Sequence, residues 1–428
     1  MLHFTLPRLP NTTYKHIDCI ESIQLPKPVL SNSLSGYLAD IKDRIDEYSE
    51  DWDTYKKYTN PYEYIHTTVP TRRRCVSQYK PLSRSYFKMI ELAIQFRLFG
   101  QNAPIRTFHL AEGPGGFIEA ARNMRNNPSD LYVGMTLLHD DRDRNIPAWK
   151  KSHAFLRDNS NVFIETGADK TGDILSLANF VDCTWKYGST MDVITADGGF
   201  DFSIDFSQQE IHITKLLFAQ ICFALCMQKR GGSFVIKIFD SFMPHTIDIL
   251  MILSSFYSRV YVTKPLTSRF ANSEKYVVCK GFQFDHSGDF YPYLYRAFEK
   301  MLFIQSVAPP GFSYIGRLLT ISPSHYFITR LEEYNAIFGQ QQIESIFNTI
   351  SLICDEKRAH KNWKGRDRGT RSNMSKEWRS ETRDTFADVV AKDIPYINHP
   401  TIDPMIRGNI KQCIQWCMKY GVPYHVGI

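Results

Sequence analysis

Several absences narrow this 428-residue chain before any motif is read. The uninterrupted apolar run of about 18 residues that a membrane helix needs is not expected anywhere in it. Its first residues, MLHFTLPRLPNTTYK, have neither a continuous apolar core nor a cleavage site of the secretory kind. The expectation is therefore a soluble intracellular protein with no membrane partner. Metal-ligand spacing is missing too. Of nine cysteines, Cys222/Cys226 and Cys413/Cys417 stand four apart in apolar, helix-like runs, which puts each pair on one helix face rather than in a zinc knuckle. Reduced, mostly buried thiols are expected, and no metal. Charge of one sign is also scarce: 51 Lys and Arg against 45 Asp and Glu leave +6, which permits an anionic partner without demanding one. There is no internal repeat and no low-complexity tract. What is present, 43% hydrophobic residues, suffices for a sizeable core.

Taken in order, residues 1–70 read as an extension. Prolines 7, 10, 26 and 28 break any long element, and a charged amphipathic stretch over 33–58 predicts one or two helices. Residues 71–80 (TRRRCVSQYK) gather basic side chains that suit either a solvated turn or phosphate contacts through Arg72, Arg73 and Arg74. A helix is predicted over 83–99. Strand-like runs then follow at 105–111, 131–137, 162–166, 191–196, 233–239, 260–264 and 275–279, with helices in most gaps, notably 117–124, 208–228 and 245–254. That alternation argues for a parallel α/β sheet with a ligand at the carboxyl ends of its strands. The last two runs are joined by only 265–274, too short for a helical crossover, so they are expected to pair antiparallel. A main domain over 71–285 results. The remainder, 286–428, is expected to be mostly helical, with a basic segment at 356–380 holding nine Lys/Arg against three acids beside Trp363 and Trp378.

Chemistry-bearing residues concentrate at element ends. In LAEGPGGFIE, residues 110–119, an apolar strand meets an acid and then a glycine-rich turn into a helix, a form that brings backbone close to a nucleotide-like ligand. Gly113, Gly115 and Gly116 miss the dinucleotide G-x-G-x-x-G spacing, and Pro114 removes an N–H donor; Glu112 suits a ribose hydroxyl better than a phosphate. Lys88 sits among apolar residues of the preceding helix. Asp197 follows the strand MDVITA and opens a Gly-Gly turn, Lys237 lies inside the strand SFVIKIF, and Glu274 heads the final strand. A lysine within a central strand is costly unless paired. The others each have a bland reading: a snorkelling lysine, a turn-capping aspartate, a surface strand-end acid. Asp197 and Lys237, on neighbouring strands, are expected to open into one cleft.

SRSYFK, AEGPGGF, ADGG, VIKIF and KPLTSRFANSEKYVVCKG, in this order and spacing, resemble the FtsJ-like (RrmJ-type) 2′-O-ribose methyltransferases, and within them the mRNA cap-1 branch of eukaryotes and large DNA viruses. The resemblance covers about residues 72–282. It implies an α/β fold of the Rossmann-like S-adenosylmethionine methyltransferase type, with a mainly parallel seven-stranded sheet whose last strand is antiparallel and with helical terminal extensions. It also implies a catalytic set of Lys88, Asp197, Lys237 and Glu274, with Lys237 as general base on a ribose 2′-hydroxyl. The cofactor implied is S-adenosyl-L-methionine, bound by Glu112, Gly113, Pro114, Gly115, Gly116 and Phe117. In ETGADKTGDIL the adenine-side acid matches Asp173, beside Ile174, with Asp169 as the alternative; Asp173 could instead cap the following helix. Ser83 is expected to line the same site.

On the substrate side, Ser268, Arg269 and Asn272 are candidates for RNA contact, with Arg72 to Arg74. The basic segment at 356–380 suits either a transcript or solvent. The activity implied is methylation of the first transcribed nucleotide of capped mRNA, in the nucleus or, for a cytoplasmic virus, the cytoplasm, with capping or transcription machinery as candidate partners. The rivals are an rRNA or tRNA 2′-O-methyltransferase and a catalytically silent RNA-binding subunit of a capping complex; a dehydrogenase is a distant third.

Overall fold

The computed structural model describes residues 1–70, 72–100, 103–138, 148–199, 209–304, 313–370 and 401–428, and the side chains of all these except 359–370. In chain order the elements are β1 (His3–Leu6), β2 (Ile17–Ser22), α1 (Asn32–Asp43), α2 (Ser49–Thr59), α3 (Ser85–Phe96), β3 (Arg106–Leu110), α4 (Gly116–Arg125) and β4 (Leu131–Met135). There follow α5 (His153–Asp158), β5 (Val162–Ile164), α6 (Leu177–Tyr187), β6 (Met191–Ala196), α7 (Gln209–His212), α8 (Thr214–Met227) and β7 (Gln228–Ile238). The chain closes with α9 (Pro244–Phe256), β8 (Tyr257–Thr263), β9 (Lys275–Phe282), α10 (Tyr291–Phe303), β10 (Tyr314–Leu319), α11 (His325–Thr370) and α12 (Ile402–Tyr420).

Two compact units share the chain. The first, Met1–Asp40, Pro81–Ser268 and Asn272–Gln340, holds an eight-stranded sheet in the order β1-β8-β9-β7-β6-β3-β4-β5. β7, β6, β3, β4 and β5 are mutually parallel. β9 lies antiparallel between β7 and β8. This is the α/β methyltransferase arrangement, and the short 265–274 link does produce an antiparallel pair. Strand order reverses where β3 meets β6, which opens a crevice at their carboxyl ends. The sheet has one strand more than the seven expected. β1 adds antiparallel to β8, a four-residue edge strand cut short by Pro7, and the N-terminal extension is thus not purely helical. β2 pairs with β10 in a separate two-stranded sheet.

The core follows from composition. α8 is apolar all round, and 13 of its residues are buried, as expected of a helix enclosed on every side. Phe218, Phe223, Ile221 and Leu225 are fully enclosed, each side chain contributing about 1.5–3 kcal/mol by leaving water. The continuous stretch Gln209–Met227, with mean hydropathy 1.5, reaches the length and apolarity of a membrane span, contrary to expectation. It is 89% buried within the protein, and its hydrophobicity is core chemistry. All nine cysteines are free, eight of them buried.

A buried acid fastens β10. Asp248 on α9 accepts from Arg317 Nε at 2.7 Å and Nη2 at 2.8 Å, and from the backbone N–H groups of Leu318 and Leu319 at 2.8 and 3.1 Å.

The second unit, Ile41–Lys80, Arg269–Ala271 and Gln341–Ile428, packs Ile41, Ile45, Ile346 and Ile350 together. Its polar centre is Glu63, which accepts from Arg269 Nε at 3.0 Å and Nη2 at 2.6 Å, Asn60 Nδ2 at 2.7 Å and Thr67 Oγ1 at 2.9 Å. Of the basic segment expected at 356–380, residues through 370 continue α11, and 371–380 lie outside the described residues.

Replacing Asp248 by Ala removes the charge partner of Arg317 and strands two enclosed N–H donors, a loss of about 3 kcal/mol. Urea unfolding checks this, and a change under about 0.5 kcal/mol would contradict the role given to Asp248.

Candidate active site

At the end of β3 the chain turns abruptly. Ala111 takes a left-handed φ of 53°, uncommon for a residue with a Cβ, while its N–H donates to Met135 O at 2.7 Å. Gly115 follows at φ 105° and opens α4. The glycines here are demanded by the protein itself. A Cβ on Gly113 would stand 2.7 Å from Ala148 O, one on Gly115 2.9 Å from the Trp149 ring, and one on Gly116 2.2 Å from the Oγ atoms of both Ser83 and Ser85. Ser83 is therefore beside the turn, its Oγ 2.5 Å from Ser85 Oγ. Pro114 O accepts from Ser152 Oγ. Phe117 is fully buried and packs on Tyr276 with ring centroids 5.9 Å apart, so its ring serves the floor of the site rather than an open ligand surface.

Glu112 points below the turn. Its carboxylate is 1% exposed; one oxygen accepts from Thr195 Oγ1, and the other lies 3.3 Å from His109 Nδ1. Beyond this approach of His109, that second oxygen, Oε2, has no hydrogen-bond partner among the described residues. Burial raises the Glu112 pKa against the pull of His109 and Thr195. An orphaned, enclosed acceptor at the switch point is compatible with a ligand hydroxyl donor, and on this count the site fits a ribose-bearing cofactor.

The four expected catalytic residues converge in the first unit. Lys88, on α3, meets Glu274 in a two-pronged pair, Nζ to Oε1 at 2.7 Å and to Oε2 at 2.8 Å. Lys237, on β7, donates to Asp197 O at 2.8 Å and stands 3.3 Å from Asp197 Oδ1. Each of the four side chains is 9–12% exposed, reachable from solvent yet too enclosed for an unpaired charge. Gly199 makes room for Lys237: a Cβ there would lie 3.2 Å from Nζ. Burial works against the Lys237 charge, but Asp197 and Glu274 outweigh it and hold the ammonium above the ordinary lysine range. Burial likewise opposes ionisation of Glu274, and Lys88 followed by Lys237 overcomes it, leaving Glu274 far below the usual carboxylate range.

A fifth residue, Tyr276, belongs to this group and was not anticipated. It sits opposite Lys237 in the β7–β9 register, donates to Asp197 Oδ1 at 2.7 Å, and carries Lys88 Nζ 5.9 Å from its ring centre. The available signal was period two: Tyr276 shares a strand face with Glu274. Lys264 also joins from behind, donating to the carbonyls of Asn272 and Glu274 at 2.5 and 2.7 Å. Burial, then Lys275, brings its pKa down to about 7. Glu91 on α3 accepts from the N–H groups of Leu266 and Thr267, both at 2.8 Å. One helix thus carries Lys88 and also anchors the link that presents Glu274.

These bonds also engage two of the residues expected to contact RNA. Ser268 is 1% exposed and donates to Glu274 Oε1 at 2.7 Å, so it holds the acid in place. Arg269 is spent on Glu63 of its own unit. Asn272 is exposed, and so are Arg72, Arg73 and Arg74, which lie in the second unit on a tight turn closed by Val69 N–H to Arg74 O at 3.0 Å.

The turn after β5 discriminates between its two acids. Asp169 Oδ1 already accepts from Thr171 N, Thr171 Oγ1 and Asn179 Nδ2 at 2.9, 2.6 and 2.8 Å. Among the described residues Asp173 Oδ1 accepts only from Leu175 N, at 2.9 Å. The α6 N-cap is Ser176, which removes the capping role considered for Asp173. Gly172, at φ 69° with a notional Cβ 2.1 Å from Thr136 O, presses this turn onto the end of β4. Ile174, 4% exposed, anchors it in the core.

A mostly parallel sheet with an antiparallel β9, a glycine turn after β3 and a Lys-Asp-Lys-Glu cluster make up the candidate site. Residues 81–282 match the FtsJ-like methyltransferase family model. Among similar curated proteins is cap-specific mRNA (nucleoside-2′-O-)-methyltransferase 2 of Pongo abelii, 27% identical over 75% of this chain and 41% of that protein. Cap-specific mRNA (nucleoside-2′-O-)-methyltransferase 1 of Mus musculus is 32% identical over 57% of this chain and 29% of its own length. The Trypanosoma cruzi protein of that name is 33% identical over 44% and 51%. The matches therefore span about half or less of these relatives.

Because the folded pKa of Glu274 is depressed, its ionisation contributes stability above its ordinary value of 4.5 that is lost as pH falls below it. The stability gap between the protein and its Glu274→Gln variant is expected to narrow on acidification from about pH 6 to about pH 3, read by denaturant titration; a constant gap would contradict the pairing.

Proposed function

We propose that this protein is an S-adenosylmethionine-dependent RNA 2′-O-ribose methyltransferase acting on the first transcribed nucleotide of capped mRNA, with its catalytic domain over 71–285. The observation that carries the reading is the convergence of Lys88, Asp197, Lys237 and Glu274 at the carboxyl ends of the sheet, beside the glycine turn. The relatives' names favour a capped transcript over rRNA or tRNA as substrate. Such work belongs to the nucleus or cytoplasm.

S-adenosylmethionine, when bound, supplies an electrophilic methyl group. Gly113 to Phe117 with Ser83 would border its methionine and ribose portions, Glu112 Oε2 would accept from a hydroxyl, and Asp173 beside Ile174 would face the adenine. The chain's own contribution is alignment and proton management. Lys237 Nζ is the acceptor for the ribose 2′-hydroxyl proton, fixed by its bonds to Asp197. Tyr276 keeps Asp197 turned toward it. Lys88 neutralises Glu274, which otherwise would add still more to the charge holding the Lys237 proton.

The acids set the pH dependence. A base whose pKa is raised is mostly protonated at neutrality, so its active fraction grows with pH. Methyl transfer is expected to climb steadily through about pH 7 to 9, and a flat profile there would exclude Lys237 as the base. Lys237→Ala is expected to lose about 10²–10⁴-fold in rate, measured by transfer of labelled methyl to capped RNA. Full activity in that variant overturns the mechanism, equal activity on uncapped RNA removes the cap assignment, and RNA binding without transfer by the wild type favours a silent subunit.

A further inference from the structure

A second concave surface lies in the first unit, where α3 ends, about 400 Å³ in volume. Arg97, Arg259 and Lys280 supply its charge, and His3, Phe96 and Tyr261 its aromatic wall. The three rings pack with centroids 5.2 to 5.5 Å apart. No acid lines it. Arg97 and Arg259 make no ion pair among the described residues, whereas neighbouring Arg230 is paired with Asp285 at 2.6 Å.

The placement of these cations is unfavourable in the free protein. Arg259 and Lys280 are direct cross-strand partners of the β8–β9 pair, a position where like charges destabilise. Arg97 adopts a left-handed φ of 47° at the end of α3, and Lys280 Nζ donates to its carbonyl at 3.0 Å. Burial and then Arg259 depress the Lys280 pKa. Cations gathered this way, without a counter-acid, are balanced by an anion from outside.

We propose that this pocket binds the phosphodiester backbone of an RNA strand, with a base against the Tyr261 and His3 rings; the inference rests on the RNA methyltransferase reading. Single strands combine backbone charge with stackable bases, and the pocket offers both complements. An acidic peptide would use the charges and leave the rings idle. The candidate active site and the pocket share elements: Lys88 and Phe96 are eight residues apart on α3, about 12 Å at the helical rise. Tyr276 and Lys280 are four apart on β9, about 13 Å at the strand rise. A strand reaching the pocket is thus longer than one confined to the catalytic centre.

The test uses the full chain and its Arg259→Gln/Lys280→Gln double variant, with Arg97→Gln as an independent single variant. For uncapped single-stranded RNA, the double variant is expected to bind about tenfold more weakly, with the log–log salt slope reduced by about 1.4, or 0.7 for each lost phosphate contact. With methyl transfer as readout, KM should rise for a long capped transcript while a short capped oligonucleotide is turned over as by wild type. The melting temperature should hold or rise, because a like-charge pair has been relieved. Unchanged RNA affinity and slope in both variants would overturn the proposal, as would loss of a phosphoserine-rich peptide with RNA binding intact. If the wild type transfers no methyl to any RNA while the variants still lose RNA affinity, the catalytic reading fails and the pocket stands.

Discussion

Two ammonium groups and two carboxylates, each about a tenth exposed, meet at the carboxyl ends of β6 and β7 and the amino end of β9. None could remain there alone, since an enclosed charge without a partner costs several kcal/mol. Their mutual neutralisation therefore constrains the sheet itself. Lys237 and Asp197 need β7 beside β6; Glu274 and Tyr276 need β9 beside β7, running the other way. A slip of one residue in the β7–β9 register would turn Glu274 and Tyr276 to the opposite face, leaving Lys88 without its partner and Asp197 without its donor. The antiparallel strand is, in this sense, fixed by electrostatics as much as by its apolar residues.

The link before β9 extends the same logic. It is held by Glu91, which lies three residues along α3 from Lys88, and by Lys264, which grips the carbonyls of Asn272 and Glu274. Positions of acid and base are thus referred to one helix. Rigid referral of this kind matters because alignment errors are costly where reacting atoms must lie in line.

How much of this could be read from residue order alone depends on where each residue finds its partner. The strands that run as continuous apolar segments, and the link too short for a crossover, were legible because period and length are local properties. β1 was not: four residues between a terminus and Pro7 carry almost no periodic signal, and its pairing with β8 is some 250 residues distant in sequence. The tetrad was legible because ionisable residues stand out in apolar strands, whereas Tyr276 was not, since a tyrosine is ordinary in a strand. Ser268 and Arg269 were assigned to RNA because exposed polar residues in a link suggest contact. Their partners, Glu274 and Glu63, could be identified only in three dimensions. The glycine turn was assigned to its ligand, yet Ala148, Trp149, Ser83 and Ser85 already require each glycine.

The pairing that makes the site foldable also opposes its chemistry. Asp197 and Glu274 stabilise Lys237 as an ammonium, and every pKa unit by which they do so adds about 1.4 kcal/mol to the cost of freeing the base. Lys88 limits that cost by pairing with both Glu274 oxygens. Tyr276 does so by drawing on Asp197 Oδ1, leaving the Asp197 carbonyl as the nearer contact of Lys237 at 2.8 Å against 3.3 Å for the carboxylate. A carbonyl orients an amine without the full charge of a carboxylate. The geometry accordingly holds Lys237 firmly in position while moderating the charge that keeps its proton, and any group that adds positive charge nearby shifts the balance toward the neutral amine.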